Sequence, residues 1–391
     1  MEPVVRVFRS GDSAEARERL AFLGAAGEDL DGFLRDLRAL IVAAPAGLSA
    51  AMDPQTDRFL ASRGVPVLRT ASHLLFSVSS PDQAAEWRER GPRDGILHRV
   101  AAAVQSYFTR DFQVPLPGGI LDLAGPPLVM GIVNVTPDSF SDGGVHRTSE
   151  EAVTRGLEME EQGAAILDVG GESTRPGSDP VPADEELRRV LPVIRGLAAR
   201  TNAVISVDTT KAAVAKAAIA AGARIVNDTS ALADDPGMAA VIRESGAAVV
   251  LMHRRGAPAT MQAAPWYDFL FDELLGELSE RIDAATAARI GRERILVDPG
   301  IGFGKRPCDN LALHRHLDEL RVLGRPIVFG PSRKSFIGEL TGAPPAKRVF
   351  GTAASVTAAV MGGAHVVRVH DVKEMREVVQ VADAIRRAGP C

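Results

Sequence analysis

A repeated pattern of short apolar runs and amphipathic stretches constrains the fold of this chain more than any other feature. From Leu128 onward, each apolar run is followed by a polar or Gly-rich turn and then by a stretch of helical length, such as Ser149–Gly163 or Asp184–Arg200. Strands that alternate with helices form right-handed βαβ units and a parallel sheet. Eight such units in roughly 250 residues have the size of a closed (β/α)₈ TIM barrel, which we predict for residues 111–391. The predicted strands are Leu128–Val133, Ala165–Val169, Ala203–Val207, Arg224–Val226, Ala247–Met252, Arg294–Val297, Pro326–Phe329 and His365–Val369.

A closed barrel is preferred to a doubly wound open sheet, because no Gly-x-Gly-x-x-Gly motif follows the first predicted strand. Just before the barrel, Phe112–Leu116 and Ile120–Leu123 flank the turn-forming sequence Pro-Gly-Gly and predict a hairpin. We expect this hairpin to plug or rim the N-terminal end of the barrel.

Residues 1–110 predict a separate, small α/β domain. Pro66 limits the third of its predicted strands to a sheet edge or to the start of a strand. The region contains no lysine and no cluster of acids or histidines, so a structural or dimer-forming role is preferred to catalysis. The predicted strands are Val4–Phe8, Leu40–Ala43, Val65–Leu68 and Leu74–Val78, and the predicted helices include Ser13–Leu23 and Gln83–Arg90.

The composition excludes several classes of protein. The chain has 391 residues, of which 46% are hydrophobic and 24% are charged, enough for a barrel and a second domain. The net charge of -5 and the pI of about 6.0 leave no basic surface for nucleic acid. Two cysteines are too few for a disulfide framework and suit a reducing compartment. Met1–Ser10 lacks the apolar core of a signal peptide, and Ala39–Met52 is too short to span a bilayer, so we expect a cytoplasmic protein without a membrane partner.

Lysine is rare in this chain, with six among 45 basic residues. Since arginine is the default cation here, a lysine marks a candidate position where a guanidinium does not fit. Chance retention on a solvated face is the preferred interpretation for Lys216, Lys347 and Lys373. The other three are Lys211, Lys305 and Lys334.

Polar residues follow all eight predicted barrel strands, at the ends where chemistry belongs in this fold. Helix capping does not explain eight such ends out of eight, although for Asp228 and Asp371 capping and a functional role both stay open. The residues concerned are Asn134 to Asp142, Asp168 to Arg175, Asp208, Asn227-Asp228, His253 to Arg255, Asp298 to Lys305, Ser332 to Ser335, and Arg368 to Asp371.

The charges of these residues indicate the kind of ligand. Asp208, Asn227 and Asp298 offer acceptors deep in the barrel and suit a neutral heterocycle that presents several N–H donors. Lys334 would reach a carbonyl of the same ring as a point charge. The sequence therefore predicts a flat, polar head group in the barrel.

A second, basic group of residues indicates an anionic tail on the same ligand. Arg175, Arg368 and His370 suit phosphate oxygens. No cluster has zinc-ligand spacing. Magnesium needs only one or two protein oxygens when a diphosphate supplies the rest, and Asn134 is the candidate, although a turn-forming Asn would need no metal.

Two loops rich in Gly, Ser and Pro follow the first two strands, Thr136–Gly144 and Gly170–Gly177. The first carries Asp138 and Asp142 and the second carries Arg175, so we favour a lid over the substrates to a pair of ordinary loops.

These blocks resemble the dihydropteroate synthases of the pterin-binding enzyme family. The resemblance covers about Ile120 to the C-terminus, with the blocks in the same order, and does not include residues 1–110. The matching blocks are Asn134–Gly144, Asp168–Gly177, Ile205–Thr209, Asp298–Lys305, Ser332–Gly338 and Arg368–Asp371.

The resemblance implies that 6-hydroxymethyl-7,8-dihydropterin pyrophosphate and 4-aminobenzoate condense to 7,8-dihydropteroate and pyrophosphate. It assigns to pterin binding Asp208, Asn227, Met252, Asp298, Phe303 and Lys334. It assigns to the diphosphate Asn134 through Mg²⁺, Thr174, Arg368 and His370, and to 4-aminobenzoate Phe140, Thr174, Pro176 and Ser335, with a helix N-terminus near the carboxylate. The catalytic set is Asn134, Asp142, Arg175, Lys334, Arg368 and His370.

The chemistry that follows is loss of pyrophosphate ahead of attack by the weakly nucleophilic arylamine. Mg²⁺, Arg368 and His370 would stabilise the leaving group, and acids such as Asp142 the pterin-methyl cation, without a covalent enzyme nucleophile. The resemblance also implies a homodimer through barrel helices and a sulfonamide target. A methyltetrahydrofolate-dependent corrinoid methyltransferase and a non-catalytic pterin-binding protein are the alternatives. The first would not need the two loops or the Arg368/His370 pair, and the second predicts damaged catalytic blocks.

Overall fold

The computed structural model describes the greater part of the chain and divides it into two compact units. The described residues are 4–9, 13–23, 25, 30, 33, 40–45, 54–90, 95–135, 145–173, 180–257 and 259–389. The first unit consists of Met1–Arg110, Phe269–Ser279 and Asp318–Gly324, and the second of Asp111–Asp268, Glu280–Leu317 and Arg325–Cys391.

The first unit contains a four-stranded antiparallel sheet. Its strands are β1 Arg6–Arg9, β2 Leu40–Pro45, β3 Val67–Arg69 and β4 His73–Val78, in the order β1-β2-β4-β3. The four predicted strands are confirmed, and β3 is an edge strand because Pro66, which precedes it, has no N–H for a central position.

Four helices of the first unit are described together with this sheet. They are α1 Ser13–Phe22, α2 Pro54–Ala61, α3 Pro81–Arg90 and α4 Ile96–Phe108. Leu20 and Leu23 pack against Ile41 and Leu75 in one buried cluster, and the buried Trp87 of α3 lies 6.3 Å from the ring of Phe76.

A buried charged network also belongs to the first unit. Nε of Arg6 donates to Oε2 of Glu319 at 2.8 Å, and Nη1 donates to Oδ1 of Asp272 at 3.3 Å. Nε2 of His73 lies 2.9 Å from the other oxygen of Asp272. Burial alone would lower the pKa of Arg6, but the two carboxylates raise it.

Both carboxylates come from segments far along the chain, and no local pattern predicts that Phe269–Ser279 and Asp318–Gly324 belong with residues 1–110. The division into an accessory domain of residues 1–110 and a catalytic domain of residues 111–391 stays a prediction.

The second unit begins with the predicted hairpin, β5 Gln113–Leu116 and β6 Gly119–Asp122. Val114, Leu116, Leu121 and Leu123 lie in one buried cluster with residues from the beginnings of the barrel strands, such as Ile166. The hairpin therefore plugs the N-terminal end of the barrel, as predicted.

Eight parallel strands form the sheet of the second unit, as the sequence predicts. The barrel closes at Val297, which bridges to Ile327 and whose N–H donates to the carbonyl of Pro326 at 3.0 Å. The strands are β7 Leu128–Asn134, β8 Ile166–Gly170, β9 Val204–Asp208, β10 Ile225–Asp228, β11 Ala248–Met252, β12 Ile295–Asp298, β13 Val328–Phe329 and β14 Val366–Val369, in the sheet order β12-β11-β10-β9-β8-β7-β14-β13.

Helices follow the barrel strands, which confirms the predicted (β/α)₈ architecture. The amphipathic stretches predicted at Ser149–Gly163 and Asp184–Arg200 are helical for most of their length. The helices are α5 Val145–Glu161, α6 Ala183–Ala198, α7 Ala212–Ala220, α8 Met238–Ser245, α9 Leu270–Ala287, α10 Pro307–Arg315, α11 Ser335–Thr341, α12 Val349–Gly362 and α13 Val372–Arg387, with 3₁₀ turns at Arg292–Arg294, Leu317–Leu323 and Pro345–Lys347. Within the described ranges, none of the helices combines the length and the apolar character needed to cross a membrane.

Candidate active site

A small cavity lies at the carboxyl ends of the barrel strands. All six side chains that the sequence assigns to the ring of the ligand contribute to its wall, together with Arg368. The lining residues are Asp208, Asn227, Thr229, Met252, Asp298, Gly300, Ile301, Phe303, Gly330, Lys334 and Arg368.

The register of four neighbouring strands brings the polar residues to one level. Asn134 of β7 pairs with Gly170 of β8, Gly170 with Asp208 of β9, and Asp208 with Asn227 of β10. Partners in a parallel ladder point to the same face, so these side chains form one layer of the barrel mouth. Gly170 contributes no side chain to that layer, and a Cβ at this position would contact Cβ of Asp208 at 3.4 Å.

Two of the acids that line the cavity are buried, and their pKa values are raised. Asp208 and Asp298 are each 6% exposed. Burial raises the pKa of Asp208 to about 7, and the negative charges of Asp168 and Glu186 add to this shift. The positive charges of Arg368 and Lys334 oppose it. Burial also raises the pKa of Asp298, against the N–H of Gly300 and the charge of Lys334.

Arg368 lies among the acids of the cavity. Its Nε donates to Oδ2 of Asp168 at 2.6 Å, and its Nη2 donates to Oδ2 of Asp208 at 2.7 Å. The same oxygen of Asp168 accepts from Nδ2 of Asn227 at 3.0 Å. Asp168 begins one of the blocks that match the family, but the resemblance assigns no role to it. In the sequence, the one feature that points to a function is its position on a strand, facing the barrel interior.

One face of the cavity is apolar and aromatic. Met252, Met261 and Phe303 form a buried cluster, and Nζ of Lys334 lies 4.1 Å from the centre of the Phe303 ring. An ammonium over an aromatic face is an attractive contact. The cavity thus combines a flat apolar wall with a polar edge, which suits a planar heterocycle.

The loop after β12 is packed tightly against the loop after β11. Gly300 and Gly304 have φ values of +68° and +63°, and an added Cβ at either would overlap a backbone carbonyl oxygen, of His253 or of Arg255. Only glycine permits this close approach with a positive φ. Phe303 is therefore fixed between two positions that require glycine.

Lys305, at the end of the same loop, is 2% exposed. Its Nζ lies 2.9 Å from Nδ1 of His253 and 3.2 Å from the carbonyl of Phe303. The lysine therefore links the two loops that carry Met252 and Phe303. Sequence reasoning gave Lys305 no role, but its rarity as a lysine singled it out.

Lys211 holds the start of the second predicted loop. It forms ion pairs with Glu172 and with the fully buried Glu186, and Oε1 of Glu172 accepts from the backbone N–H of Val181 at 3.0 Å. Lys211, Lys305 and Lys334 thus each contact a carboxylate, a carbonyl or an aromatic ring.

Residues after β13 and β14 contact one another. Oγ of Ser332 lies 3.0 Å from Nδ1 of His370 and also accepts from the backbone N–H of His370 at 3.2 Å. Arg333 forms a two-point ion pair with Asp371, whose side chain caps no helix. Asp371 is therefore an ion-pair partner and not a capping side chain.

Asp228 is the other residue for which capping and a functional role were both open. Its oxygens accept from Ser230 and from the N–H of Leu232, so it orders the turn after β10. Its pKa is raised by burial.

Three assigned residues do not line the cavity, and one of them is His370, which follows β14. Ser335 is exposed at the start of α11, and half-buried Asn134 ends β7 without lining the cavity. Within the described parts of the chain, no three His, Cys, Asp or Glu side chains are placed to hold a metal ion. Five assignments fall outside the described residues, namely Phe140, Asp142, Thr174, Arg175 and Pro176.

Comparison with known proteins gives a consistent picture. The family model for "Pterin binding enzyme" matches residues 130–370. The dihydropteroate synthase of Synechocystis sp. is 45% identical over 279 residues, which are 71% of this chain and 96% of the relative. Two solved structures of dihydropteroate synthase from Xanthomonas albilineans each cover 71% of this chain and 100% of their own. The structure with 4-aminobenzoic acid is 48% identical with a TM-score of 0.67, and the complex with 7,8-dihydropteroate is 46% identical with a TM-score of 0.64.

Proposed function

The chain belongs to the dihydropteroate synthases of the pterin-binding enzyme family, and from this premise we propose how its residues divide the work. It is a transferase of folate biosynthesis that condenses 6-hydroxymethyl-7,8-dihydropterin pyrophosphate with 4-aminobenzoate. The observation that carries the assignment of roles is the cavity, in which all six residues expected to bind the pterin meet Arg368.

The pterin head occupies the cavity in this proposal. Asp208 and Asn227 accept from the ring N–H and amino groups, Asp298 accepts on the neighbouring side, and Lys334 donates to the ring carbonyl. The ring lies against Met252 and Phe303. The complementary arrangement of acceptors and one ammonium supports this pose.

The diphosphate lies toward the mouth, near Arg368 and His370. Arg368 uses Nε and one N–H of Nη2 on Asp168 and Asp208, so Nη1 and the second N–H of Nη2 can donate to phosphate oxygens. Since the same guanidinium then contacts the acids and the leaving group, Arg368 links binding of the head to stabilisation of the tail.

Asn134 is the proposed protein ligand of Mg²⁺. Its amide oxygen is a suitable donor, and it belongs to the same layer as Asp208 and Asn227. A single protein oxygen is enough when a diphosphate supplies further ligands, so the described residues fit a substrate-borne ion better than a resident one. When bound, the ion would neutralise charge on the departing pyrophosphate.

The reaction breaks the C–O bond between the pterin methylene and the diphosphate, and the bonding electrons leave with pyrophosphate. The arylamine nitrogen then forms the new C–N bond and loses a proton. Arg368 and His370 stabilise the leaving charge, and Asp142 and Arg175 contribute from the two loops. Phe140, Thr174, Pro176 and Ser335 form the aminobenzoate site, with Thr174 also at the diphosphate. We expect sulfonamides to compete there.

A homodimer through barrel helices is proposed for the assembly. Apolar side chains that are 47–86% exposed on three of these helices support it, namely Leu340, Phe350, Met361, Val381 and Ile385. For residues 1–110 we propose a structural or dimer-forming role as an accessory domain, since the charged groups of the first unit pair with one another. A cytoplasmic location stays a prediction.

Mixing both substrates with Mg²⁺ and measuring pyrophosphate and 7,8-dihydropteroate tests the function. Release of both in equal amounts is expected. Tight pterin binding without turnover would instead indicate a non-catalytic pterin-binding protein, and methyl transfer from methyltetrahydrofolate would indicate a corrinoid methyltransferase.

A further inference from the structure

Asp168 lies under the cavity and contacts two residues of its wall. It is fully buried on β8, and one of its oxygens, Oδ2, accepts from Asn227 of β10 and from Arg368 of β14. Asp168 is not itself part of the cavity wall. It therefore acts on a ligand only through these two neighbours.

The contact with Asn227 determines which end of the amide faces Asp168. Oδ2 of Asp168 serves as an acceptor between the two residues, so the end of the Asn227 amide that faces it is the donor. That group is Nδ2 of Asn227, at 3.0 Å. The other end of the amide, Oδ1, is then the end presented to the cavity, as an acceptor.

The contact with Arg368 fixes a second group of the wall. A guanidinium donates through Nε and both terminal nitrogens, in a rigid fork. With Nε on Asp168 and Nη2 on Asp208, the plane of the fork is determined by two acids on adjacent strands. Asp168 thereby holds Arg368 beside Asp208, the second acceptor of the ring.

We propose that Asp168 is a positioning residue that determines ring specificity, because it turns the Asn227 amide so that the cavity offers acceptors at Asp208 and Asn227. The site then selects a ring edge with adjacent N–H donors, such as a 2-amino ring, and rejects the same ring with a carbonyl in place of the amino group. This inference rests on the proposed binding of the pterin head in the cavity.

The test compares two ligands by calorimetry: 6-hydroxymethyl-7,8-dihydropterin and its 2-oxo analogue, the corresponding dihydrolumazine. The full-length wild-type chain is expected to prefer the amino ring by at least about tenfold, since a carbonyl would face acceptors. Asp168→Leu removes the acceptor at similar size and frees the amide to turn. The preference is expected to fall by about tenfold or more in this variant.

Asp168→Asn is the conservative comparison. Its amide oxygen can still accept from both Asn227 and Arg368, so the preference should stay within about threefold of the wild-type value. Asp228→Asn is the matched control for a buried aspartate, because Asp228 is equally buried and, among the described residues, its hydrogen bonds go to the turn after β10. It should change thermal stability without changing the ring preference. If Asp168→Leu does not fold, Asp168→Ala takes its place with the same expected loss.

The preference ratio separates positioning from a merely structural role. If both ligands weaken equally in Asp168→Leu and the ratio is unchanged, the proposal is overturned. It is also overturned if Asp168→Asn loses the preference as fully as Asp168→Leu. A wild-type chain that binds neither ring would instead refute the proposed function.

Discussion

Replacing Asp208 with asparagine is expected to weaken pterin binding strongly. The carboxylate is 6% exposed, and its Oδ1 is buried with no hydrogen-bond partner among the described residues, so solvent screens its contacts with a ligand only weakly. The substitution removes a charged acceptor and can place an amide N–H against the ring donors. We expect a loss of roughly 2–4 kcal/mol, or about 30- to 700-fold in Kd.

The raised pKa of Asp208 adds a signature in pH. The carboxylate is the accepting form, and with a pKa of about 7 it develops as the pH rises through neutrality. Wild-type affinity should therefore be about tenfold weaker at pH 6 than at pH 8. Asp208→Asn has no such group at this position and should lose most of this dependence, and what remains comes from Asp298, whose pKa is also raised.

Calorimetry with 6-hydroxymethyl-7,8-dihydropterin at pH 6 and pH 8 measures both effects. Asp228→Asn serves as the control, since Asp228 is buried on the neighbouring strand and accepts from the turn, and its affinity should change by less than about threefold. The reasoning would be refuted by unchanged affinity in Asp208→Asn, or by a pH dependence in this variant as large as that of the wild type.

Three further predictions test other parts of the structure. Lys334→Arg should lower kcat/KM by about tenfold or more, because the ammonium lies over the Phe303 ring at 4.1 Å and a guanidinium is bulkier; wild-type kinetics would contradict this. Gly300→Ala should lower the free energy of unfolding by about 2–4 kcal/mol, because φ is positive and the added Cβ meets a carbonyl oxygen. Gly119→Ala, in open space, should change it by less than ~0.5 kcal/mol, and equal effects in urea unfolding would count against the argument. Arg6→Met should lower the free energy of unfolding by about 3–5 kcal/mol, because the carboxylates of Asp272 and Glu319 lose their cation. A shift of the urea midpoint worth under ~1 kcal/mol would show that this buried network adds little stability.

Local pattern in the sequence was enough for the architecture. Strand and helix periods differ, so their alternation from Leu128 onward predicts the eight βα units and the barrel. The end of each strand then indicates which side chains reach the mouth, and this is why Asp208, Asn227 and Asp298 could be grouped. Pro66 placed β3 at a sheet edge for an equally local reason, the missing N–H.

Contacts between distant parts of the chain could not be read in this way. Asp168 and Arg368 are 200 residues apart, and no local pattern records that one oxygen serves Arg368 and Asn227 together. Likewise, Asp272 and Glu319 look like ordinary helix acids until they meet Arg6 in the first unit.

The sequence by itself determined the barrel, the family and most of the residues that line the cavity, because backbone propensity and hydrophobic period act over a few residues. Only the tertiary structure decided how those residues face one another. Closure of the barrel brings β8, β10 and β14 to a common interior, where burial strengthens each charged contact and makes its geometry matter. The roles of Asp168 and of the positive-φ glycines are therefore properties of the closed barrel, and no single segment of the sequence carries them.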